Sequence, residues 1–237
     1  MTLNGKRILV VGASSGIGKA VARAVSEVGA EVLLCARSRD KLEALAGELP
    51  GEASALPVDV TDEEAVKAAL DGAGELDGLV CTAGAFKVGP VRDLPTDEAR
   101  ANFEVKFWGA YHVAKWACVR QGGAIVLCSG IWSQRPQSGV AQMASVNAAL
   151  EGLARSLAVE YAPTRVNCVS PGVTDTELYE KNMNREQYSH LMRTVTGELL
   201  TGRPGKPEDV AQAILMLLSN PQITGETLVI DGGGKLA

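Results

Sequence analysis

The sequence has 237 residues, of which 46% are hydrophobic and 4% aromatic, and its formal net charge is −5. This length allows one good-sized core, so we expect a single domain over residues 1–237. Acidic and basic residues are interspersed, and no stretch reaches the ~20 apolar residues of a membrane span, which argues against nucleic-acid and membrane partners and favours a cytoplasmic protein.

Cysteine and histidine usage gives no sign of a metal site. No two cysteines have the spacing of metal ligands or of a redox pair, and the two histidines, His112 and His190, are far apart. We therefore expect reduced thiols and no bound metal. The cysteines are Cys35, Cys81, Cys118, Cys128 and Cys168.

Strand and helix patterns alternate from the start of the chain. Runs rich in Val, Ile and Leu predict strands at residues 7–13, 31–37, 53–60 and 76–84. Stretches with apolar residues at helical spacing lie between them, at residues 18–30, 38–49 and 61–73.

The alternation continues to the end of the chain. We expect helices at residues 96–119, 140–161 and 207–219, and strands at residues 123–130, 165–172 and 226–233. Apolar strands that alternate with helices predict the α/β class, as a Rossmann-like doubly wound parallel sheet with helices on both faces. Residues 173–206 are polar and broken by Gly and Pro, so we expect an irregular substrate loop or lid there.

The turn after the first predicted strand contains three glycines, Gly12, Gly16 and Gly18, in "GASSGIG". The first allows a tight turn, the second lets the backbone approach a pyrophosphate, and the third allows close packing of helix on strand. The N-terminus of the following helix offers free N–H groups and a partial positive charge. The pattern predicts a dinucleotide-binding turn.

The end of the second predicted strand, "CARSR", indicates which dinucleotide is bound. An acidic residue at this place binds a free ribose 2′-hydroxyl, whereas an arginine accommodates a 2′-phosphate. The chain has no acid here, but it has Arg37 with Ser38 beside it, and a guanidinium binds phosphate well. We therefore expect NADP(H); an ordinary solvated arginine is the alternative.

Taken together, these motifs resemble the short-chain dehydrogenase/reductase family. "VGASSGIG" is similar to its G-x-x-x-G-x-G motif, "CTAG" stands where the family has N-N-A-G, and "RVNCVSPGVTDTEL" resembles its P-G-x-x-x-T segment. "PVDVTD", "GRPGKPEDVA" and "VIDGGG" extend the resemblance over essentially the whole chain. The resemblance implies an NADP(H)-dependent oxidoreductase for a small molecule, assembled as a homotetramer or homodimer.

The resemblance also implies a set of cofactor-binding residues. Asp59 stands at the family's adenine contact, and Thr176 stands at the nicotinamide end. The full set is Gly12, Ser14, Ser15, Gly16, Ile17, Gly18, Arg37, Ser38, Asp59, Val60, Thr82, Ala83, Gly84, Asn147, Pro171, Gly172, Val173 and Thr176.

The same alignment lacks the family's proton-handling residues. The family's tyrosine and lysine places hold Met143 and Asn147, its serine place falls at Gly130 with Ser129 just before it, and its asparagine place falls at Lys106. A thioether has no proton to give and an amide is neutral, although the amide could still donate to the nicotinamide ribose. We take Lys106, Ser129, Met143 and Asn147 as the catalytic pocket positions, with no proton donor identified.

Several residues could supply the missing proton. Lys106 either restores an ammonium beside the nicotinamide or is a solvated helix residue, and Ser129 could turn inward. Tyr179, Tyr188 and His190 lie in the expected lid and are further candidates, or packing residues.

Two functions stay open on these residues. The first is an oxidoreductase whose substrate needs no strong acid, such as an imine, an iminium ion or a conjugated acceptor. The second is a protein that binds NADP(H) for a non-redox reaction, for sensing or as a scaffold.

Overall fold

Seven strands lie within residues 2–237, the part of the chain that the computed structural model describes, with residues 180 and 181 described by their backbone alone. They are β1 Arg7–Val11, β2 Glu31–Ala36, β3 Ala53–Pro57, β4 Leu76–Cys81, β5 Val119–Cys128, β6 Arg165–Pro171 and β7 Thr227–Ile230. All pair in parallel, in the order β3-β2-β1-β4-β5-β6-β7.

Helices connect the strands and cover both faces of the sheet. They are α1 Gly16–Glu27, α2 Arg39–Glu48, α3 Glu63–Ala73, α4 Thr96–Phe103, α5 Gly109–Trp116, α6 Ala141–Glu160, α7 Glu177–Asn182, α8 Arg185–Glu198 and α9 Pro207–Ser219. The predicted doubly wound α/β class is confirmed. None of the helices within residues 2–237 combines the length and apolar content needed to cross a bilayer.

The sheet is buried on both faces, which explains its nearly unbroken apolar strands. In β1, Ile8 and Val10 pack into a cluster with α1 and α9, whereas Leu9 and Val11 pack into a second cluster with α3, α5 and α6. Successive side chains of a strand point to opposite faces, so one short strand contributes to both cores.

The strand order reverses beside β1, and this reversal opens a crevice. The register pairs Val11 with Cys35 of β2 and with Cys81 of β4, so the three strands end at the same level. The chain leaves β2 and β4 in opposite directions, and ligands of open α/β sheets bind at such a switch point, outside the carboxyl ends of the strands.

The predicted helix at 96–119 is wrong as a single helix. A π-helical turn at Glu104–Trp108 separates α4 from α5, and α5 ends at Trp116. The apolar spacing continues through the wider turn, so periodicity alone did not reveal it.

The expectation of an irregular stretch at 173–206 is also wrong, because α7 and α8 lie within it. Asn184 starts α8 with a capping box, in which its side chain accepts from the Gln187 backbone and the Gln187 side chain accepts in return. This Asn-x-x-Gln spacing was a readable helix signal in a stretch too polar to show a clear apolar face.

A buried arginine fastens α9 to β6, the strand that leads into the crevice. Arg165 Nη1 donates to Leu217 O at 2.6 Å and Nη2 donates to Leu218 O at 2.7 Å. These carbonyls lie in the last turn of α9, where a cation also meets the negative end of the helix dipole.

We expect Arg165→Met to lower the free energy of unfolding by about 3 kcal/mol, because it leaves buried helix-end carbonyls without donors. Urea unfolding measures the loss. Arg155→Met, at an exposed position on α6, is the matched control and should change stability by less than about 0.5 kcal/mol. Equal stability of the two variants would contradict the role of Arg165.

Candidate active site

A cleft of about 440 Å³ lies at the carboxyl ends of the strands. Every site residue predicted from the sequence, from Gly12 to Thr176, lines it. The structure thus brings the predicted residues together in one place, while their binding of a cofactor stays a prediction. Residues outside the predicted set also line it: Val11, Ala36, Lys41, Val58, Ala85, Phe86, Val105, Cys128, Ile131, Trp132, Thr174 and Leu178.

The glycine turn packs so tightly that side chains are excluded. A Cβ on Gly12 would lie 2.7 Å from Thr82 Oγ1 and 2.8 Å from Ala83 N, and a Cβ on Gly18 would lie 2.1 Å from Gly12 O. The first turn of α1 contains no acidic residue. The free N–H groups at the start of α1 therefore face the cleft without a competing anion.

Two cations line the cleft at the end of β2. Arg37 and Lys41 are exposed and belong to its lining, with Ser38 between them. The neighbouring Arg39 instead pairs with Glu43 along α2, at 3.4 Å. Sequence reasoning missed Lys41, which lies one helical turn beyond the strand end.

Asp59 and Val60 line the cleft next to these cations. One carboxylate oxygen of Asp59 accepts from the backbone N–H and the hydroxyl of Thr61, at 3.0 and 2.9 Å. Val60 O lies 2.9 Å from His112 Nδ1, so this buried histidine helps to hold the backbone at Val60 in place.

At the opposite end, Lys106 enters the cleft from the π-helical turn. Its Nζ donates to Asn147 Oδ1 at 2.6 Å and to Ser129 O at 2.8 Å. The alternative of a solvated helix residue is therefore wrong. A π-turn adds a residue to one helical turn, and such turns are frequent at functional sites.

Burial lowers the pKa of the Lys106 ammonium below its usual value, and the negative charge of Glu151 partly offsets this. Burial raises the pKa values of the nearby thiols, to about 12 for Cys81 and Cys168. These thiols stay uncharged at neutral pH, so the ammonium faces mainly neutral groups.

Met143 and Asn147 face the cleft from the first two turns of α6 and are buried, at 4% and 1% exposure. Met143 packs with Phe103, Phe107 and Trp132. Asn147 Oδ1 is used by Lys106, but its Nδ2 has no hydrogen-bond partner among the described residues. A buried amide N–H₂ without an acceptor indicates a ligand that supplies one.

Ser129 lines the cleft, but its hydroxyl is hydrogen-bonded to other groups of the protein. Ser129 Oγ donates to Glu151 Oε1 at 3.1 Å and lies 3.2 Å from Val169 O. Ser133 Oγ donates to the same Glu151 oxygen at 2.5 Å. The hypothesis that Ser129 turns inward as a donor is therefore wrong. Glu151 is buried, at 8% exposure. Its burial was not predictable from the sequence, because a carboxylate on a long helix is usually solvated.

Of the three lid candidates, only Tyr179 reaches the cleft. It is buried, and burial raises the pKa of its phenol to about 12, which makes it a weaker acid than an ordinary tyrosine. Tyr188 and His190 lie on α8 outside the lining, and the Tyr188 hydroxyl donates to Asp175.

Aromatic side chains form one wall of the cleft that Lys106 also lines. The ring of Phe86 lies 6.0 Å from that of Trp132 and meets Tyr179 edge-on at 5.4 Å. The three side chains come from the segments that follow β4 and β5 and from α7, so nothing in the sequence spacing linked them.

No cluster of His, Cys, Asp and Glu within the described residues could hold a metal ion. All five cysteines are free thiols, and Cys118 is exposed.

Comparisons with known proteins agree with this architecture. The family described as enoyl-(acyl carrier protein) reductase matches residues 12–235. D-erythrulose reductase of Gallus gallus is 34% identical over 242 residues, covering 98% of this chain and 97% of that protein.

Two crystal structures extend the similarity to three dimensions. The short-chain dehydrogenase/reductase (glucose/ribitol dehydrogenase) of Brucella melitensis has a TM-score of 0.91 at 26% identity, covering 98% of each chain. A short-chain dehydrogenase of Burkholderia cenocepacia J2315 in complex with NADP has a TM-score of 0.89 at 30% identity, over 100% of both chains.

The lowered pKa of Lys106 predicts a pH dependence of stability. Between its folded pKa and the usual value of 10.5, the unfolded chain binds more protons than the folded chain, so the free energy of unfolding should rise with pH across that window. The free energy of unfolding of the parent, minus that of Lys106→Met, should therefore increase as the pH rises toward about 10. Below the folded pKa of Lys106 this difference should stay constant.

Urea unfolding of both chains from about pH 7 to about pH 10 tests this. Lys235→Met removes the same charge at an exposed position and controls for net charge. The prediction would be contradicted if the difference in free energy of unfolding between the parent and Lys106→Met did not vary with pH.

Proposed function

The chain belongs to the short-chain dehydrogenase/reductase family, and we propose that it is an NADP(H)-dependent oxidoreductase of a small molecule with rearranged proton-handling groups. The observation that carries the proposal is one cleft that joins the cations Arg37 and Lys41, the glycine turn and the buried ammonium of Lys106. A protein that only stored a nucleotide would not require a cation at the far end.

The residues present fit a phosphorylated dinucleotide. Gly12 and Gly18 leave no room for a Cβ where the backbone must approach a pyrophosphate, and the N-terminus of α1 would hold its negative charge. Arg37, Ser38 and Lys41 would hold the 2′-phosphate. The unpartnered Nδ2 of Asn147 would donate to a hydroxyl of the nicotinamide ribose.

When bound, the reduced dinucleotide supplies a hydride, and the chain must manage the charge that develops on the substrate. On the proposed reading, Met143 and Asn147 occupy the places of the family's tyrosine and lysine and have no acidic proton. Lys106 Nζ takes over the positive charge. Two of its three hydrogens are used by Asn147 and Ser129, and the third is free to bind a substrate oxygen.

The chain's own residues keep this ammonium in place. Asn147 and the carbonyl of Ser129 fix its position, and Glu151 contributes negative charge from the side of Ser133. Tyr179, whose phenol pKa burial raises to about 12, is the weaker candidate for binding the developing charge.

We expect the parent chain to bind NADPH more tightly than NADH, and Ala36→Asp to weaken NADPH binding by about tenfold or more, because a carboxylate at this place repels a 2′-phosphate. Fluorescence titration of NADPH measures both. Arg37→Met should weaken NADPH selectively, whereas Arg39→Met, whose side chain pairs with Glu43, should not. Unchanged NADPH affinity in Ala36→Asp would overturn the assignment.

We expect NADPH consumption with at least one substrate class in a panel of ketones, imines and α,β-unsaturated carbonyls. Lys106→Met should lower the rate by about 10²-fold or more, because it removes the proposed charge-stabilising group, and Lys235→Met should not. Tight NADPH binding without turnover of any class would favour the non-redox alternative.

Back-substitution provides the complementary control. Gly130→Ser, Met143→Tyr and Asn147→Lys would rebuild the family pattern, but Asn147→Lys alone would bring two ammonium groups together, because Lys106 Nζ lies 2.6 Å from Asn147 Oδ1. Lys106→Asn must therefore accompany them. Ketone reduction by this fourfold variant would show that the scaffold is competent and that only its acid–base groups differ.

A further inference from the structure

We infer that the substrate is a flat, conjugated acceptor whose oxygen binds the Lys106 ammonium and whose apolar body lies against the aromatic wall of Phe86, Trp132 and Tyr179. This inference rests on the proposed function and names the substrate class of the same site. Its basis is that one fixed cation and three aromatic rings line the same cleft.

The groups around the reacting space favour a charge stabiliser over a strong acid. Reduction of a simple ketone places a full negative charge on one oxygen, which must be protonated at once. Met143 has no proton, the Ser129 hydroxyl is bound to Glu151, and the Tyr179 phenol is a weakened acid. The ammonium of Lys106 is the one cationic donor at this end of the described cleft.

A conjugated acceptor does not need immediate protonation of its oxygen. Reduction of an α,β-unsaturated carbonyl adds a hydride at the β-carbon, moves the C=C electron pair toward the carbonyl oxygen, and takes one proton from water at the α-carbon; both electrons come from the reduced dinucleotide. The oxygen carries a delocalised charge, which a fixed ammonium in a partly buried site stabilises well.

The same cation disfavours the iminium substrates that the sequence left open. Two positive charges in a partly buried cleft repel strongly, because solvent screens them poorly. The electrostatics thus separate two substrate classes that residue types alone could not.

The walls favour a flat body. Phe86 and Trp132 are partly exposed, and the buried Tyr179 lines the cleft from α7. Met143, buried against Trp132, adds an adaptable thioether surface in place of a polar group. Such a slot prefers aromatic or conjugated ligands that can pack against ring faces and edges.

The test uses 4-nitrophenol, a flat molecule whose conjugated oxyanion imitates the charged oxygen and whose colour reports its ionisation. In the full chain, bound 4-nitrophenol should ionise about one pH unit or more below the free compound, because the ammonium favours the anion. The phenolate should bind about 10- to 100-fold more tightly than the uncharged 4-nitroaniline, the usual range for a hydrogen bond to a charged group.

Variants separate the two parts of the site. Lys106→Met should abolish both the ionisation shift and the preference over 4-nitroaniline, while Lys235→Met keeps them. Phe86→Ala should weaken both probes about two- to tenfold alike, because it removes part of the wall and not the charge.

Failure of this inference is distinct from failure of the proposed function. NADPH binding is measured on the same samples. The inference is overturned if 4-nitrophenol does not bind, if its ionisation is not shifted, or if Lys106→Met affects both probes equally. The ionisation shift is measured in the parent chain, so it tests the inference even if Lys106→Met is unstable. Absence of NADPH binding would instead overturn the proposed function.

Discussion

The hydrogen bond between Lys106 Nζ and Asn147 Oδ1, at 2.6 Å, is the contact on which the proposed chemistry of the cleft depends. It joins the π-turn before α5 to the second turn of α6 and holds an ammonium where burial disfavours charge. Burying a cation among neutral acceptors and one carboxylate lowers the free energy of unfolding, because the charge loses its hydration. Groups with pKa values perturbed in this way concentrate at functional sites, which is the physical reason to place the chemistry here.

The fold determines where this contact lies. Parallel strands end at one edge, and the reversal of strand order at β1 opens a crevice there. The turns after β1 and β4 approach each other closely, because Gly12 leaves no space for a Cβ against Thr82. Lys106 and Asn147 come from different helices, and both point into the same crevice. The proposed cofactor-binding end and the proposed reacting end are therefore two ends of one structural feature.

Much of this fold was predictable from sequence, because it rests on patterns with a local physical cause. The glycine spacing at Gly12, Gly16 and Gly18 predicted the turn, and the apolar strands predicted a sheet covered on both faces. The π-turn and the helix α8 were not predicted: the first leaves apolar spacing unchanged, and the second lies in a polar stretch where only Asn184 and Gln187 signal its start.

The candidate site was less predictable, because its contacts connect distant parts of the chain. Residue type left Lys106 ambiguous, since lysine is usually solvated. Only the contact with Asn147 resolved it, and that contact spans 41 positions. The Ser129 hydroxyl failed as a candidate because a buried carboxylate on α6, Glu151, binds it. Lys41, Phe86 and Trp132 join the cleft through the ends of separate elements, so no spacing rule would have grouped them.

The pairing of Lys106 with Asn147 also bears on how a site can change without losing its charge. A lysine at position 147 of α6 would offer no acceptor to the ammonium of Lys106. The amide of Asn147 supplies both an acceptor for Lys106 and a donor facing the cleft. The two residues are therefore a coupled pair, and changing either one alone produces repulsion or an unpaired buried group. Under the proposed function, the cation that enters from the π-turn connects charge and substrate, and Met143, at the proposed phenol position, packs against Trp132.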